Sequence, residues 1–229
     1  MKSNNRKPKT KITNNRKPAT NNRKPKMKKH LIMFLCFIGF ACITSCSESD
    51  EESTEFDDWQ NKNETYFSGI HAKASSAISA GDGKWKTFRV YSKVGHISAS
   101  QTDDIVVEVL NVGTGKDTPL FTDSVRVHYE GRLIPTKSYP DGYVFDKSWT
   151  GSYNLQTMIP TKFAVSGVVD GFCTALMNMR AGDRWRVYIP YQLGYGSTAT
   201  SSIPAYSTLI FDITLHSLTH PGTPFLPFQ

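Results

Sequence analysis

Cysteine is scarce in this sequence, and its spacing is uneven. Four cysteines occur among 229 residues; Cys36, Cys42 and Cys46 lie in or beside one apolar run, and Cys173 stands alone far downstream. Neither a disulfide framework nor a zinc-ligand spacing is present. We therefore predict no metal site and no cofactor, and we interpret Cys173 as a small buried apolar residue of a helix.

Acidic residues are missing from the start of the chain. All 20 follow Cys46, whereas 12 of the 27 lysines and arginines lie within residues 1–30. The net charge of +7 therefore belongs to a basic head, which contains the motif NNRKP three times and has too little apolar content to build a core. The remainder is mildly acidic, so we predict no binding of nucleic acid.

The longest apolar run, Leu31 to Ile43, is too short for a membrane-spanning helix of about 20 residues. Because Lys28 and Lys29 precede it, the pattern is typical of a signal peptide, for which Met27 makes a better start than the first residue. The segment 43–46, Ile-Thr-Ser-Cys, resembles a bacterial lipobox, whose cysteine becomes a lipid-linked N-terminus. An ordinary secretory signal is the alternative.

The stretch SESDEE after Cys46 resembles the acidic export signal of surface lipoproteins from Bacteroidetes, and an acidic linker is the alternative. We expect an outer membrane lipoprotein at the periplasmic or cell-surface face, bound to the membrane through the lipid on Cys46. The predicted organisation is a head and signal peptide at 1–46, a tether, helix and N-terminal extension at 47–100, a folded domain at 101–218 and a proline-rich tail at 219–229.

One long helix is predicted at residues 54–79, with Thr54 as its N-cap. Its apolar face either packs on the domain, the interpretation we favour, or serves as a dimer face of a chaperone. The face comprises Phe56, Trp59, Tyr66, Phe67 and Ile70.

The rest of the pattern predicts many strands and one short helix, at 169–179. A further strand is compatible with residues 84–94. This composition indicates an α+β fold, an antiparallel twisted sheet wrapped on one short helix, with an added N-terminal helix. The predicted core strands are 104–111, 124–134, 143–146, 161–165, 184–190 and 208–218.

Six segments, in order along the chain, resemble the motifs of FKBP-type peptidyl-prolyl cis-trans isomerases. One such segment alone would be weak evidence for the family, whereas six in order across about 110 residues form a specific pattern. The segments are Val127–Gly131 (VHYEG), Val144–Ser148 (VFDKS), Gly167–Phe172 (GVVDGF), Met179–Arg184 (MRAGDR), Leu193–Gly196 (LGYG) and Ile203–Asp212 (IPAYSTLIFD).

This resemblance implies isomerisation of X-Pro bonds in exported polypeptides, with macrolide inhibitors as further candidate ligands. The catalytic residues that it implies are Tyr129, Phe145, Asp146, Val169 and Tyr195. The substrate-pocket residues that it implies are Val168, Phe172, Ile203, Tyr206 and Phe211.

The chemistry fits such residues. Rotation about an X-Pro bond faces a barrier of about 18–20 kcal/mol, which arises from the loss of amide resonance. Because a twisted amide is less dipolar than a planar one, a dry aromatic pocket disfavours the planar form more. No nucleophile, metal or titrating base is needed.

Two positions depart from the family pattern. Phe172 stands where the family has a floor tryptophan, which we interpret as a change in substrate specificity or drug affinity. Thr161 stands where many members have an aromatic residue that forms one wall of the pocket. Either Trp149 or Tyr153 supplies this wall here, or the pocket is open on that side. This departure keeps a second hypothesis in view, a catalytically weak surface lipoprotein that binds a peptide or another ligand with the same fold.

Overall fold

The computed structural model of the chain describes residues 55–95 and 100–227. The signal peptide, the NNRKP repeats, Cys46 and Thr54 lie outside these ranges. The main elements are α1 (Trp59–Ser79), β1 (Trp85–Arg89), β2 (Asp104–Asn111), β3 (Ser124–Arg132), β4 (Val144–Lys147), β5 (Thr161–Ala164), α2 (Asp170–Asn178), β6 (Arg184–Ile189) and β7 (Leu209–Thr219).

The seven strands described form one antiparallel sheet: six follow the order β1-β2-β6-β7-β3-β4, and β5 pairs with β3. Strand β3 has two partners on the side away from β7: residues 124–127 pair with β5, and residues 130–132 pair with β4. The predicted α+β class, with one short helix and an added N-terminal helix, is confirmed. The six predicted core strands all form, with ends shifted by no more than two residues.

Alternating side chains give the sheet two buried faces. On β2, Ile105 and Val107 face the main core, which also contains α2, whereas Val106 faces α1. The α1 side holds a smaller cluster in which Phe67 packs with Tyr188. The two helices therefore cover opposite faces of one sheet. Cys173 on α2 is buried as predicted, and burial raises the pKa of its thiol to about 11.

Helix α1 begins at Trp59 and not at residue 54, so the predicted start is wrong. Asp58 takes a left-handed conformation with φ of 51°, which does not continue a right-handed helix. Glu55, expected in the first helical turn, instead accepts hydrogen bonds from Ser138. Glu55, Asp57 and Asp58 thus lie in a turn that precedes the helix.

Polar contacts fix α1 to the domain. The side chain of Asn63, which is fully buried, accepts a hydrogen bond from the backbone N–H of Thr208 at 2.8 Å. The indole N–H of Trp59 donates to Ser207 Oγ at 2.8 Å. Because Trp59 and Phe67 are buried in the monomer, they are not available as the dimer face of the chaperone hypothesis. In the part of the chain described, no helix is both long and apolar enough to cross a membrane.

Candidate functional site

A cavity of about 610 Å³ opens between the start of α2 and strands β3, β4, β5 and β7. We call it the aromatic cavity. Nine of the ten residues predicted for the site line it: Tyr129, Phe145, Asp146, Val168, Val169, Phe172, Tyr195, Ile203 and Phe211. The lining also contains four residues that the sequence argument had not assigned to the site: Phe163, Gly167, Thr200 and Ser202.

Edge-to-face aromatic contacts build the floor of the aromatic cavity. The ring of Phe211 packs at 89° on Phe172, with centroids 5.0 Å apart, and at 87° on Phe145, with centroids 5.5 Å apart. Gly131 makes room for these rings, because a Cβ at this position would lie 2.5 Å from Phe211 and 2.6 Å from Phe145. The glycine of the VHYEG motif is therefore a spatial requirement of the cavity.

Tyr129 and Asp146 form a hydrogen-bonded pair at the edge of the cavity. They lie on the paired strands β3 and β4, and the Tyr129 hydroxyl donates to Asp146 Oδ2 at 2.6 Å. Burial, and then the Asp146 carboxylate, hold the pKa of the Tyr129 phenol well above its usual range. The phenol therefore keeps its proton and orients toward Asp146.

The start of α2 closes another side of the cavity. Val169 is the N-cap residue of this helix, so its backbone N–H points away from the helical hydrogen-bond ladder. Gly171 lets the helix approach β6 closely, since a Cβ there would lie 2.3 Å from Ile189 Cγ2. The helix thereby presents Val168, Val169 and Phe172 to the cavity.

The rim carries the most exposed aromatic residue of the cavity. Tyr195 is 44% exposed, and no described residue hydrogen bonds to its hydroxyl. Ile203, which is buried, lies beside Thr200 and Ser202 on the loop that covers the cavity. The rim thus offers a hydroxyl that faces solvent next to an apolar contact.

Tyr206, the tenth predicted residue, is not among the residues that line the aromatic cavity, and its role in the pocket stays a prediction. Its backbone is left-handed, with φ of 62°, and its N–H donates to the carbonyl of Gly196. Its ring packs edge-to-face on Tyr191, with centroids 5.3 Å apart. Tyr206 thus lies in a tight turn, which the sequence motif alone does not reveal.

Phe163, two residues after Thr161, lines the aromatic cavity. Of the two candidates for the wall that Thr161 lacks, Trp149 packs on Tyr153, and neither lines the cavity. The Tyr153 hydroxyl lies 2.8 Å from Thr214 Oγ1, which holds it on the sheet. Residues 161 and 163 lie on the same face of β5, so strand periodicity could have identified Phe163.

Comparison with known proteins gives a consistent result. Residues 115–216 match the family model of FKBP-type peptidyl-prolyl cis-trans isomerases. The chain is 41% identical over 119 residues to "Macrophage infectivity potentiator" of Trypanosoma cruzi, covering 52% of this chain and 55% of that protein. It is 43% identical over 108 residues to "FKBP-type 22 kDa peptidyl-prolyl cis-trans isomerase" of Escherichia coli, covering 47% of this chain and 46% of the relative.

The fold also matches that of a solved structure. A crystal structure of a peptidyl-prolyl cis-trans isomerase from Pseudomonas syringae pv. tomato matches with a TM-score of 0.50 and 26% identity, over 73% of this chain and 98% of that one. The chain spans about half the length of the curated relatives that it matches.

Proposed function

We propose that the chain is a peptidyl-prolyl cis-trans isomerase that acts on X-Pro bonds of exported polypeptides, in keeping with the match of residues 115–216 to the family model of FKBP-type peptidyl-prolyl cis-trans isomerases. The observation that carries this proposal is the aromatic cavity, in which three phenyl rings form the base and the Tyr129–Asp146 pair lies at the edge. A proline ring is a compact apolar group that fits such a base.

Desolvation is the first part of the proposed mechanism. When the proline ring enters the aromatic cavity, the adjoining amide leaves water for an apolar surrounding. A planar amide loses more hydration energy than a twisted one, because its dipole is larger. The difference in free energy between the two forms therefore narrows, and rotation accelerates.

Fixed hydrogen-bond donors are the second part. The backbone N–H of Val169 binds a substrate carbonyl, and the exposed hydroxyl of Tyr195 donates a further hydrogen bond beside the rotating amide. Asp146 accepts from Tyr129 and so fixes the phenol in the cavity wall. Donors that are oriented before the reaction need no reorganisation as the carbonyl moves.

The isomerase proposal is tested by measuring cis/trans exchange of the peptide Ala-Leu-Pro-Phe by NMR. We expect wild-type protein to accelerate the exchange, and Phe145→Ala and Tyr195→Phe each to lower kcat/KM by about tenfold or more, equivalent to about 1.4 kcal/mol. Phe88→Ala is the matched control, since Phe88 stacks on Trp185 and does not line the cavity. This variant isolates any effect of lost stability.

Exchange no faster with wild-type protein than in buffer would reject the isomerase proposal. In that outcome the aromatic cavity would be assigned to ligand binding, the second hypothesis from the sequence. Equal losses in Phe88→Ala and Phe145→Ala would show that the variants act through stability alone.

We also propose that the mature protein begins at Cys46 and is anchored to the outer membrane by a lipid on that residue. The support is the order of positive residues, short apolar run and lipobox-like segment in the sequence. The proline-containing clients would then be polypeptides of the cell envelope.

A further inference from the structure

A second depression adjoins the aromatic cavity. We call it the side groove; its volume is about 550 Å³. Thr200, Ser202 and Ile203 line both depressions, so the two lie next to each other along the loop that covers the aromatic cavity. A polypeptide with its proline in the aromatic cavity can therefore extend into the side groove.

Three exposed aromatic side chains give the side groove its chemical character. Phe56 is 42% exposed, Tyr139 is 44% exposed and Tyr143 is 37% exposed. Large aromatic surfaces left open to water beside a binding cavity are typical of interaction sites. Tyrosine rings in particular provide rigid contact area together with a polar hydroxyl.

Hydrogen bonds hold one wall of the side groove in place. Glu55 accepts from the backbone N–H of Ser138 at 3.1 Å and from its hydroxyl at 2.6 Å. These bonds lower the pKa of the Glu55 carboxyl, which therefore stays charged at neutral pH. Tyr139 and Tyr143 pack edge-to-face with centroids 5.1 Å apart. The loop that carries both tyrosines is thus tied to the residues that precede α1.

The side chain of Phe56 connects the side groove to α1. Phe56 packs edge-to-face on the buried Trp59, with centroids 5.0 Å apart. Trp59 donates to Ser207 Oγ, and the Ser207 hydroxyl donates to the carbonyl of Pro204, the residue after Ile203. The position of Phe56 is therefore linked to the loop that the two depressions share.

We propose that the side groove is a substrate subsite that binds an aromatic or large aliphatic side chain a few residues from the proline. The proposal rests on the isomerase function and names the substrate class for it. The exposed aromatic rings of the side groove favour apolar substrate side chains, and the charged carboxylate of Glu55 disfavours acidic ones. Glu55 and Phe56 lie outside the matched domain of residues 115–216, so the N-terminal extension contributes to selectivity.

Two peptides test the subsite with the full chain. One is Ala-Leu-Pro-Phe, which is too short to fill both depressions. The other is a 13-residue peptide with the same core and a tryptophan three to five residues away on each side. For each peptide, kcat/KM is measured by NMR exchange, and Kd is measured for the labelled long peptide by fluorescence anisotropy.

In Phe56→Ala and in Tyr139→Ala we expect the Kd of the long peptide to rise about three- to tenfold, as for the loss of one aromatic contact. The ratio of long-peptide to short-peptide kcat/KM should fall by a similar factor. Phe121→Ala is the matched control, because Phe121 is 41% exposed, packs on Tyr91 and lines neither depression. It should leave both quantities unchanged.

The outcomes separate the subsite from the isomerase function. Catalysis of both peptides, with a ratio and Kd that do not respond to Phe56→Ala and Tyr139→Ala, would overturn the subsite and leave the enzyme intact. Absence of catalysis, together with a Kd that does respond, would overturn the enzyme and support the groove as a binding site. A Phe121→Ala effect equal to that of Phe56→Ala would also overturn the subsite.

Discussion

At the scale of single residues, the absence of a side chain can matter as much as its presence. Gly131 leaves space into which the rings of Phe145 and Phe211 project. Its backbone is not left-handed, so conformational freedom is not the reason for glycine here. The size of the aromatic cavity therefore depends on a residue that contributes no side chain to its lining.

Gly131→Ala should disturb this packing. We expect the free energy of unfolding to fall by about 1–3 kcal/mol, as for other overpacked cores, and kcat/KM to fall with it. Urea denaturation and NMR exchange measure the two effects. Gly69→Ala is the control, since nothing lies within 4 Å of a Cβ at this position of α1, and it should stabilise the helix by about 0.5–1 kcal/mol. Unchanged stability in Gly131→Ala would contradict the packing argument.

The resemblance of the six segments to the family motifs named ten site residues, and nine of them, Tyr129 and Phe211 among them, line the aromatic cavity. Tyr206 is not among the lining residues; it lies in a turn with a left-handed backbone, which the motif does not reveal. Thr200 and Ser202 were missed for a related reason: the course of a loop depends on contacts that are distant in sequence.

At the scale of elements, a fully buried amide is one of the contacts that fix α1 to the domain. Asn63 accepts from the N–H of Thr208, and its own Nδ2 donates to the carbonyl of Trp59 at 2.7 Å. The amide thereby satisfies a backbone donor next to β7. Buried backbone groups that lose such a partner lower stability markedly.

Asn63→Ala should lower the free energy of unfolding by about 1–3 kcal/mol, because the N–H of Thr208 would be buried without a partner. Hydrogen exchange should show faster exchange throughout α1. Asn61→Ala, on the exposed side of the same helix, should change stability by less than about 0.5 kcal/mol. Similar effects from the two variants would argue against a special role for the buried amide.

Strand and helix ends were predicted well where periodicity alone defines them, as in β2 and α2. The start of α1 was not, because the turn at Asp58 and the attachment of Glu55 to Ser138 depend on the fold of a loop more than 80 residues away. Local capping rules favour residue 54, and this long-range contact outweighs them.

At the scale of the whole molecule, the predicted lipid anchor at Cys46 can be tested independently of the folded domain. The lipobox-like segment predicts that Cys46→Ser releases the protein from the membrane fraction, because the lipid would have no attachment site. Cys42→Ser is the matched control, since it removes a cysteine four residues earlier in the same apolar stretch. Fractionation followed by immunoblotting measures the distribution. Retention of Cys46→Ser in membranes at the wild-type level would contradict the lipid anchor.

The two partners of β3 have a consequence for how this molecule can change. Strands β4 and β5 are each held by their own pairing to β3, so the segment at 148–160 that joins them does not determine their register. Gly151 lies in this segment with open space around it. Length can therefore vary here while Phe145 and Phe163 keep their places, which makes the segment a natural position for evolutionary insertions and for a fluorescent label.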